Sequence, residues 1–187
     1  MTASGAGAAQ YNQRMTPFCF EHVFRAASVA DVFAAYFDPD HQREQDAQAD
    51  LVERTVLEVV DTAADLRRVC RVVPRRQLPG FVRALVRGPL HYIETVRWRK
   101  ASHELDIEVL PSVLGGRAKI TASYRLSAVG PGTIHRHYEG FAQVDVAMVG
   151  GRIERGIVAE FEKSIPAAAA CTQAWLDRPF RSVSART

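Results

Sequence analysis

Cysteine is scarce in this sequence, and no apolar run approaches the length of a membrane-spanning helix. Cys19, Cys70 and Cys171 are widely separated and odd in number. They suggest neither a disulfide framework nor a metal-binding spacing, and they favour a reducing, cytoplasmic location. The formal net charge of +3 is too small to indicate a nucleic-acid partner. A chain of 187 residues is long enough for one domain with its own hydrophobic core.

The two ends of the chain differ in composition from the rest. Residues 1–15 are rich in Ala, Gly and Gln, and they lack the basic start and apolar stretch of a secretory signal. We predict a disordered leader at 1–15, a single domain at 16–177 and a flexible tail at 178–187.

Alternation of apolar and polar residues predicts a series of β-strands. Phe18 to Arg25 forms the first strand, and two short helices follow at 28–37 and 41–49, separated by the break at Pro39. Runs rich in β-branched residues predict a hairpin of strands 51–60 and 64–73, although their alternation is imperfect. Further strands are predicted over 91–100, 103–110, 117–128 and 133–149. One face of such strands packs on a core and the other faces water, as in an antiparallel sheet. Gly140 is predicted to mark a bulge or bend in the last strand.

A single long helix closes the strand series. Gly150-Gly151 is interpreted as a tight turn into a helix from Arg152 to Leu176. Ile157, Phe161 and Ile165 belong to a broad apolar stripe of the kind that packs on a sheet. We therefore expect an antiparallel sheet that curves around this helix, with room for a cavity between them.

This order of elements resembles the helix-grip fold of the START and polyketide-cyclase superfamily, which includes proteins similar to the birch-pollen allergen. The resemblance spans Thr16 to Leu176. Trp98 and the junction Val144 to Glu154 (VDVAMVGGRIE) carry it, and they are most similar to a bacterial branch of unknown function. It implies an α+β fold with two short helices between strands one and two, and a hydrophobic cavity. Members include lipid carriers, hormone receptors and cyclases, so the fold does not fix the function.

We predict a carrier or sensor for a small hydrophobic or amphipathic molecule, lipid-like or polyketide-like, without a cofactor. The segment 74–89 is expected to form a lid over the cavity. The predicted ligand-binding residues are Phe81, Leu85, Tyr92, Glu94, Val96, Trp98, Ile107, Tyr124, Tyr138, Phe161 and Ile165.

Glu94 is the candidate for chemistry. If Tyr92 and Trp98 face inward, the alternation of the strand points Glu94 inward as well. A carboxylate in an apolar cavity can act as an acid or bind a hydroxyl group. Together with one of the inward tyrosines, it supports an alternative function as a cyclase-like or dehydratase-like enzyme. The competing interpretations are a local bulge and a pairing with Arg97 or another arginine.

Basic residues are concentrated between Arg67 and Lys100, and the preceding stretch from Asp38 to Asp65 is acidic. Arg83 and Arg87, which lie beside apolar residues, support a second alternative, contact with an anionic membrane surface. The competing interpretation is that the arginines lie on solvated faces and pair with the acidic stretch.

His135 and His137 lie two residues apart on one face of the last strand, a spacing that metal sites use. Ile134 and Tyr138 belong to the opposite, apolar face, so both histidines are predicted to face solvent. The sequence identifies no third ligand, and we predict no metal site. His22, which lies among phenylalanines, is interpreted as a hydrogen-bonded core histidine.

Overall fold

The computed structural model describes residues 15–75 and 90–178. The strands are β1 (Met15–Arg25), β2 (Leu51–Asp61), β3 (Asp65–Pro74), β4 (Tyr92–Arg99), β5 (Glu104–Pro111), β6 (Ala118–Gly130) and β7 (Thr133–Val144). The helices are α1 (Val29–Phe37), α2 (Pro39–Gln48) and α3 (Gly150–Leu176), with a short 3₁₀ turn at Leu114–Gly116. The strands form one curved antiparallel sheet in the order β1-β7-β6-β5-β4-β3-β2. The predicted helix-grip architecture is confirmed.

The two short helices begin at side-chain caps. The Ser28 hydroxyl accepts a hydrogen bond from the Asp31 backbone N–H at 3.2 Å at the start of α1. Asp38 ends α1 and caps α2, where its carboxylate accepts from the backbone N–H groups of Asp40 and His41. Such caps satisfy N–H groups that the first helical turn leaves without partners. Pro39 occupies the start of α2, where its missing N–H costs nothing.

The long helix α3 lies over one side of the sheet. Its backbone runs close to β1 and β7 and to α1 and α2, but within the described residues it does not run along β3 to β6. The helix is continuous through Pro166, which lies on its exposed side. No helix in the two described ranges is long and apolar enough to cross a membrane.

The junction between β7 and α3 differs from the prediction. The strand ends at Val144 rather than Val149, and the helix begins at Gly150 rather than Arg152. A Cβ atom on Gly150 would lie 2.3 Å from the Val144 carbonyl oxygen, so the glycine is needed for this close approach and not for an unusual turn conformation. The predicted tight turn therefore lies before Gly150, within residues 145–149, and it does not use the conformational freedom of Gly150.

Glu154 ties this junction to the first strand. The Val144 backbone N–H donates to one carboxylate oxygen of Glu154, and the Thr16 hydroxyl donates to the other, each at 2.8 Å. The Glu154 residue is 1% exposed. One buried carboxylate thus joins the start of β1, the end of β7 and the first turns of α3.

Gly140 does not mark a bulge. The pairing of β7 with β1 and with β6 runs past this residue without a change of register. A Cβ atom here would lie 2.3 Å from the Thr121 carbonyl oxygen and 2.7 Å from the Phe18 ring. The missing side chain therefore makes room for the Phe18 ring on the inner face of the sheet.

Strand β2 forms one edge of the sheet and is apolar for an exposed strand. Its exposed apolar residues are Val52, Val56, Leu57, Val59 and Val60. The pairing of β2 with β3 shifts register between Leu51 and Glu53 and again between Val56 and Glu58.

Candidate ligand-binding face

The inner face of β4 carries Tyr92, Glu94, Val96 and Trp98. Val96 is 1% exposed within the main core, and the other three share its face because side chains alternate along a strand. The structure therefore places Glu94 on the inner face, as alternation predicted.

The inner surface of the sheet is packed unevenly. Towards α1, Phe33 stacks on Trp98 with ring centroids 4.6 Å apart, and Leu105 and Tyr124 are almost fully buried. Ile107, Val109, Phe161 and Ile165 face the same interior but are only partly buried. Phe161 packs edge-on against Phe18, with centroids 5.1 Å apart. Partly exposed apolar side chains between a sheet and a helix indicate incomplete filling of the space between them.

Glu94 belongs to a polar cluster at the incompletely filled end. The Arg54 Nη1 atom donates to a Glu94 carboxylate oxygen at 2.6 Å, and Arg54 Nε lies 3.0 Å from both oxygens of Asp46. The side chains of Arg54, Asp46 and Glu94 are 12%, 18% and 18% exposed. Burial opposes the charge on Arg54, but Glu94 and Asp46 outweigh it and raise the pKa of Arg54. Arg54 is therefore a permanent cation held between two carboxylates.

Three tyrosines are close enough to Glu94 for its charge to act on them. Burial, and after it the charge of Glu94, raises the pKa values of Tyr36, Tyr92 and Tyr138. These phenols therefore stay protonated at neutral pH and can donate hydrogen bonds. The cluster offers a carboxylate acceptor and phenolic donors beside an apolar wall, a combination suited to binding a hydroxyl or carbonyl group.

Arg68 is a second buried cation on this face. It is 8% exposed, and its guanidinium carbon lies 5.0 Å from the centre of the Phe37 ring. Its Nη2 atom donates to the Gln42 side-chain oxygen at 3.0 Å. Within the described residues, the buried Arg68 Nε and Trp98 Nε1 atoms have no hydrogen-bond partner.

His22 and Arg136 form a separate inward pair between β1 and β7. Arg136 Nη2 lies 2.6 Å from His22 Nδ1, and the Arg136 guanidinium sits over the rings of Phe24 and Tyr124. Burial, together with the charge of Arg136, lowers the pKa of His22 to about 4. His22 is thus a neutral acceptor for Arg136, in agreement with the prediction of a hydrogen-bonded core histidine.

The predicted ligand-binding residues divide into two groups. Those that lie in the shared interior are Tyr92, Glu94, Val96, Trp98, Ile107, Tyr124, Tyr138, Phe161 and Ile165. Phe81, Leu85, Arg83 and Arg87 lie outside the described residues, so the proposed lid and membrane contact stay predictions.

Sequence reasoning missed Arg54, Asp46 and Arg68 as inner-face residues. Arg54 lies in a strand whose alternation is imperfect, and Asp46 reaches it only because α2 lies across the end of the sheet. The sequence left two pairings open for Glu94, one with Arg97 and one with another arginine. The structure confirms the second, because Glu94 pairs with Arg54. Arg97 instead points to the outer side and donates to Asp65 at 2.9 Å.

Most basic residues of the predicted basic stretch pair with acids on the surface. The observed pairs are Arg67–Glu58, Arg71–Glu53, Arg75–Asp50, Arg97–Asp65, Arg99–Glu104, Arg99–Asp106 and Lys100–Asp61. Among the described residues of the stretch, this confirms pairing with the acidic stretch 38–65 except for Arg99, whose acidic partners are Glu104 and Asp106, and for the buried Arg68.

His135 and His137 lie on the outer side of the sheet, as predicted. Both contact the Glu21 carboxylate, His135 Nε2 at 2.7 Å and His137 Nδ1 at 2.5 Å. Hydrogen bonds to Glu21 and then Glu139 raise the pKa of His137. Glu21 could not be recognised as a partner of these histidines from the sequence, because the pairing of β1 with β7 joins residues more than a hundred positions apart.

The chain has the helix-grip fold, and in fold it is similar to solved structures of START and birch-pollen-allergen-like proteins. The chain belongs to the family described as "Protein of unknown function (DUF2505)", whose sequence profile matches residues 20–176.

Three solved structures illustrate the similarity, which at these identities is one of fold. An aromatase/cyclase from Streptomyces sp. R1128 is 10% identical with a TM-score of 0.65, over 91% of this chain and 99% of that one. Norcoclaurine synthase from Thalictrum flavum, solved with dopamine and hydroxybenzaldehyde, is 13% identical with a TM-score of 0.61, over 97% and 99%. A START superfamily protein from Mycobacterium smegmatis is 10% identical with a TM-score of 0.55, over 86% and 97%. A search of curated protein sequences finds no match.

Proposed function

We propose that this protein binds a small hydrophobic or amphipathic molecule between α3 and the inner face of β4 to β6, as a carrier or sensor. One observation supports this most directly. The α3 backbone lies over β1 and β7, whereas apolar side chains such as Ile107 and Val109 on the opposite wall are only partly buried. A ligand that covers them gains roughly 25 cal/mol per Å² of apolar surface before ordering costs. The norcoclaurine synthase structure, which holds two aromatic molecules, shows that a similar fold accommodates such ligands.

The polar cluster favours a ligand without net charge. At the Glu94 end of the inner face, the two buried cations among the described residues, Arg54 and Arg68, are balanced by two carboxylates, Asp46 and Glu94, while Arg136 lies apart between β1 and β7. An added anion or cation would remain uncompensated in a region of low polarity, which is costly. We therefore expect an apolar body with a hydroxyl or carbonyl group directed towards Glu94 and the tyrosines.

Native mass spectrometry and intrinsic fluorescence test this proposal. Trp98 lies on the proposed wall, and Trp175 lies near the C-terminal end of α3, so a Trp175→Phe variant makes Trp98 the reporter. We expect a co-purifying lipid-like mass, and quenching or a spectral shift of Trp98 when a neutral long-chain alcohol is added. The proposal would be refuted if native mass spectrometry showed only the protein without a ligand and if Trp98 emission stayed unchanged on addition of neutral alcohols and of aromatic ketones.

A matched pair of substitutions in β5 locates the binding face. Ile107 is an inner-face residue, whereas Leu110 lies on the outer face and is 40% exposed. Ile107→Phe fills the interior and should weaken binding of the alcohol by about tenfold or more, because binding there depends on free volume. Leu110→Phe is the control and should bind as the unmodified protein does. Equal affinities for both variants would place binding elsewhere.

The inward orientation of Glu94 favours a second candidate, a cyclase-like or dehydratase-like enzyme. Glu94 would take a proton from the substrate, and one of the inward phenols, such as Tyr138, would donate one to the departing oxygen. Incubation with a synthetic poly-β-ketone thioester, followed by mass spectrometry, detects loss of water. We expect Glu94→Gln to abolish this loss while the outer-face variant Glu108→Gln retains it. If the poly-β-ketone remains unchanged with the unmodified protein, the enzyme candidate fails and the carrier proposal stands.

A further inference from the structure

A second cluster of reactive side chains lies on the outer face of the sheet, on the side away from the inner cavity wall. Strands β1 and β7 pair so that Cys19 lies opposite Glu139 and Glu21 lies opposite His137. The Cys19 sulfur, a Glu21 carboxylate oxygen and a His137 ring nitrogen all lie within 4.8 Å of one another. These side chains belong to neighbouring residue pairs of two hydrogen-bonded antiparallel strands, so their backbone positions are fixed.

We propose that Cys19, Glu21 and His137 form a binding site for one Zn²⁺ ion. Thiolate, imidazole and carboxylate are the ligand types that zinc takes, at about 2.0–2.3 Å from the metal. Ligand atoms already within 4.8 Å of one another need only small side-chain rotations to reach tetrahedral separations. The ligand set also differs from the all-oxygen sites that Mg²⁺ and Ca²⁺ prefer.

His135 lies outside this group of mutually close ligand atoms, but it contacts the second oxygen of the Glu21 carboxylate. Its Nε2 atom lies 2.7 Å from Glu21 Oε2, while Glu21 Oε1 lies 2.5 Å from His137 Nδ1. Glu21 therefore already brings the two histidines together. On the far side, His137 Nε2 lies 3.2 Å from Glu139, which fixes the orientation of the ring as an outer carboxylate does in many zinc sites.

The charges around the cluster favour a cation. Elsewhere on the sheet, acids such as Glu58 and Asp65 pair with arginine. Glu21 contacts the two histidines, and Arg125, which lies opposite His137 in the pairing of β6 with β7, donates to Glu104 instead. Two carboxylates held by imidazoles create a locally negative surface that attracts a divalent ion.

The surroundings leave the site open on one side. Cys19 and Glu139 also border a groove of about 290 Å³, whose other walls include Pro17 and the exposed ring of Phe141. An ion at the cluster thus remains accessible from solvent. It would also join the edge strand β1 to β7 through side chains as well as backbone.

Cobalt substitution tests the site directly on the full-length protein after chelation. Co²⁺ should bind one per chain and give both the thiolate-to-metal charge-transfer band and the visible bands of tetrahedral coordination. Zn²⁺ should displace it. Cys19→Ser should remove the charge-transfer band, and His137→Gln should weaken Zn²⁺ binding by on the order of 100-fold. His103→Asn, a surface histidine outside the cluster, is the matched control and should bind as the unmodified protein does.

Alkylation of cysteine provides an independent measurement. Cys19 is exposed, whereas Cys70 and Cys171 are buried, so iodoacetamide should modify Cys19 in the folded protein. Zn²⁺ should protect it by about tenfold or more in rate, and this protection should be lost in Glu21→Gln. A cobalt complex without the thiolate band, or equal alkylation rates with and without Zn²⁺, would overturn the proposal.

Discussion

Removal of the Glu154 carboxylate should weaken the connection between α3 and the sheet. In Glu154→Ala, two hydrogen bonds to a charged acceptor are lost, each worth about 1.5–3 kcal/mol. Thr16 is partly exposed and can bind water instead, but the N–H of the buried Val144 loses its acceptor. The substitution also removes the cost of burying a carboxylate, which offsets part of this loss. We expect the free energy of unfolding to fall by about 2–4 kcal/mol.

Urea denaturation followed by circular dichroism measures this change, and thermal unfolding should show a fall of about 5–15 °C in Tm for a chain of this size. Glu154→Gln is the matched control, because its amide accepts from Val144 and donates to the Thr16 hydroxyl. Glu154→Gln should lower the free energy of unfolding by about 1 kcal/mol. Thr16→Val should destabilise the unmodified protein but not the Glu154→Ala variant, since the same hydrogen bond is removed by both. Additive losses, or a loss below about 1 kcal/mol for Glu154→Ala, would refute this account.

Substitutions at three further positions test other parts of the fold. Because the pKa of His22 is about 4 in the folded protein and about 6.5 when unfolded, unfolded chains bind more protons and stability should fall as pH drops from about 6.5 towards 4. After allowance for its partial exposure, about 1–2 kcal/mol should be lost by pH 5. His22→Asn, which retains an acceptor for Arg136, should reduce that loss in urea titrations at pH 7.5 and 5; an unchanged pH dependence would contradict it. Gly140→Ala should lower Tm clearly because its Cβ meets backbone atoms, and an unchanged Tm would show that the strand relaxes freely. Asp38→Ala should cost about 1 kcal/mol through the lost cap of α2, measured by urea denaturation, whereas Asp38→Asn should cost less; equal losses would count against capping.

The fold was largely predictable from the sequence because most strands alternate between apolar and polar residues, and the β2 and β3 segments are rich in β-branched residues. The hairpin of β2 and β3 and the alternating run of β5 and β6 lie close to their predicted bounds. The junction after β7 was not predictable in the same way, because residues 145–149 are apolar enough to resemble part of a strand. The turn has a positive φ at Met148 and a close approach of Gly150 to Val144, and the pattern of apolar residues indicates neither.

The candidate site was only partly predictable. Alternation alone was enough to place Glu94 on the inner face, because one strand suffices for that inference. Its partner Arg54 depends on strand register, and Asp46 depends on how α2 lies across the sheet. The outer cluster illustrates the same limit, since Cys19 and His137 become neighbours only through the pairing of the first strand with the last.

The irregular edge strand β2 has a consequence for behaviour at high concentration. A flat, apolar strand edge can accept a strand from a second molecule, which is a common start of aggregation. In β2 the two register shifts interrupt the regular row of backbone groups, and Glu53 and Glu58 place charge beside the exposed valines. Bulges and charges of this kind hinder edge-to-edge pairing. The register shifts and acids of β2 therefore disfavour the addition of a second copy of the protein along this apolar edge.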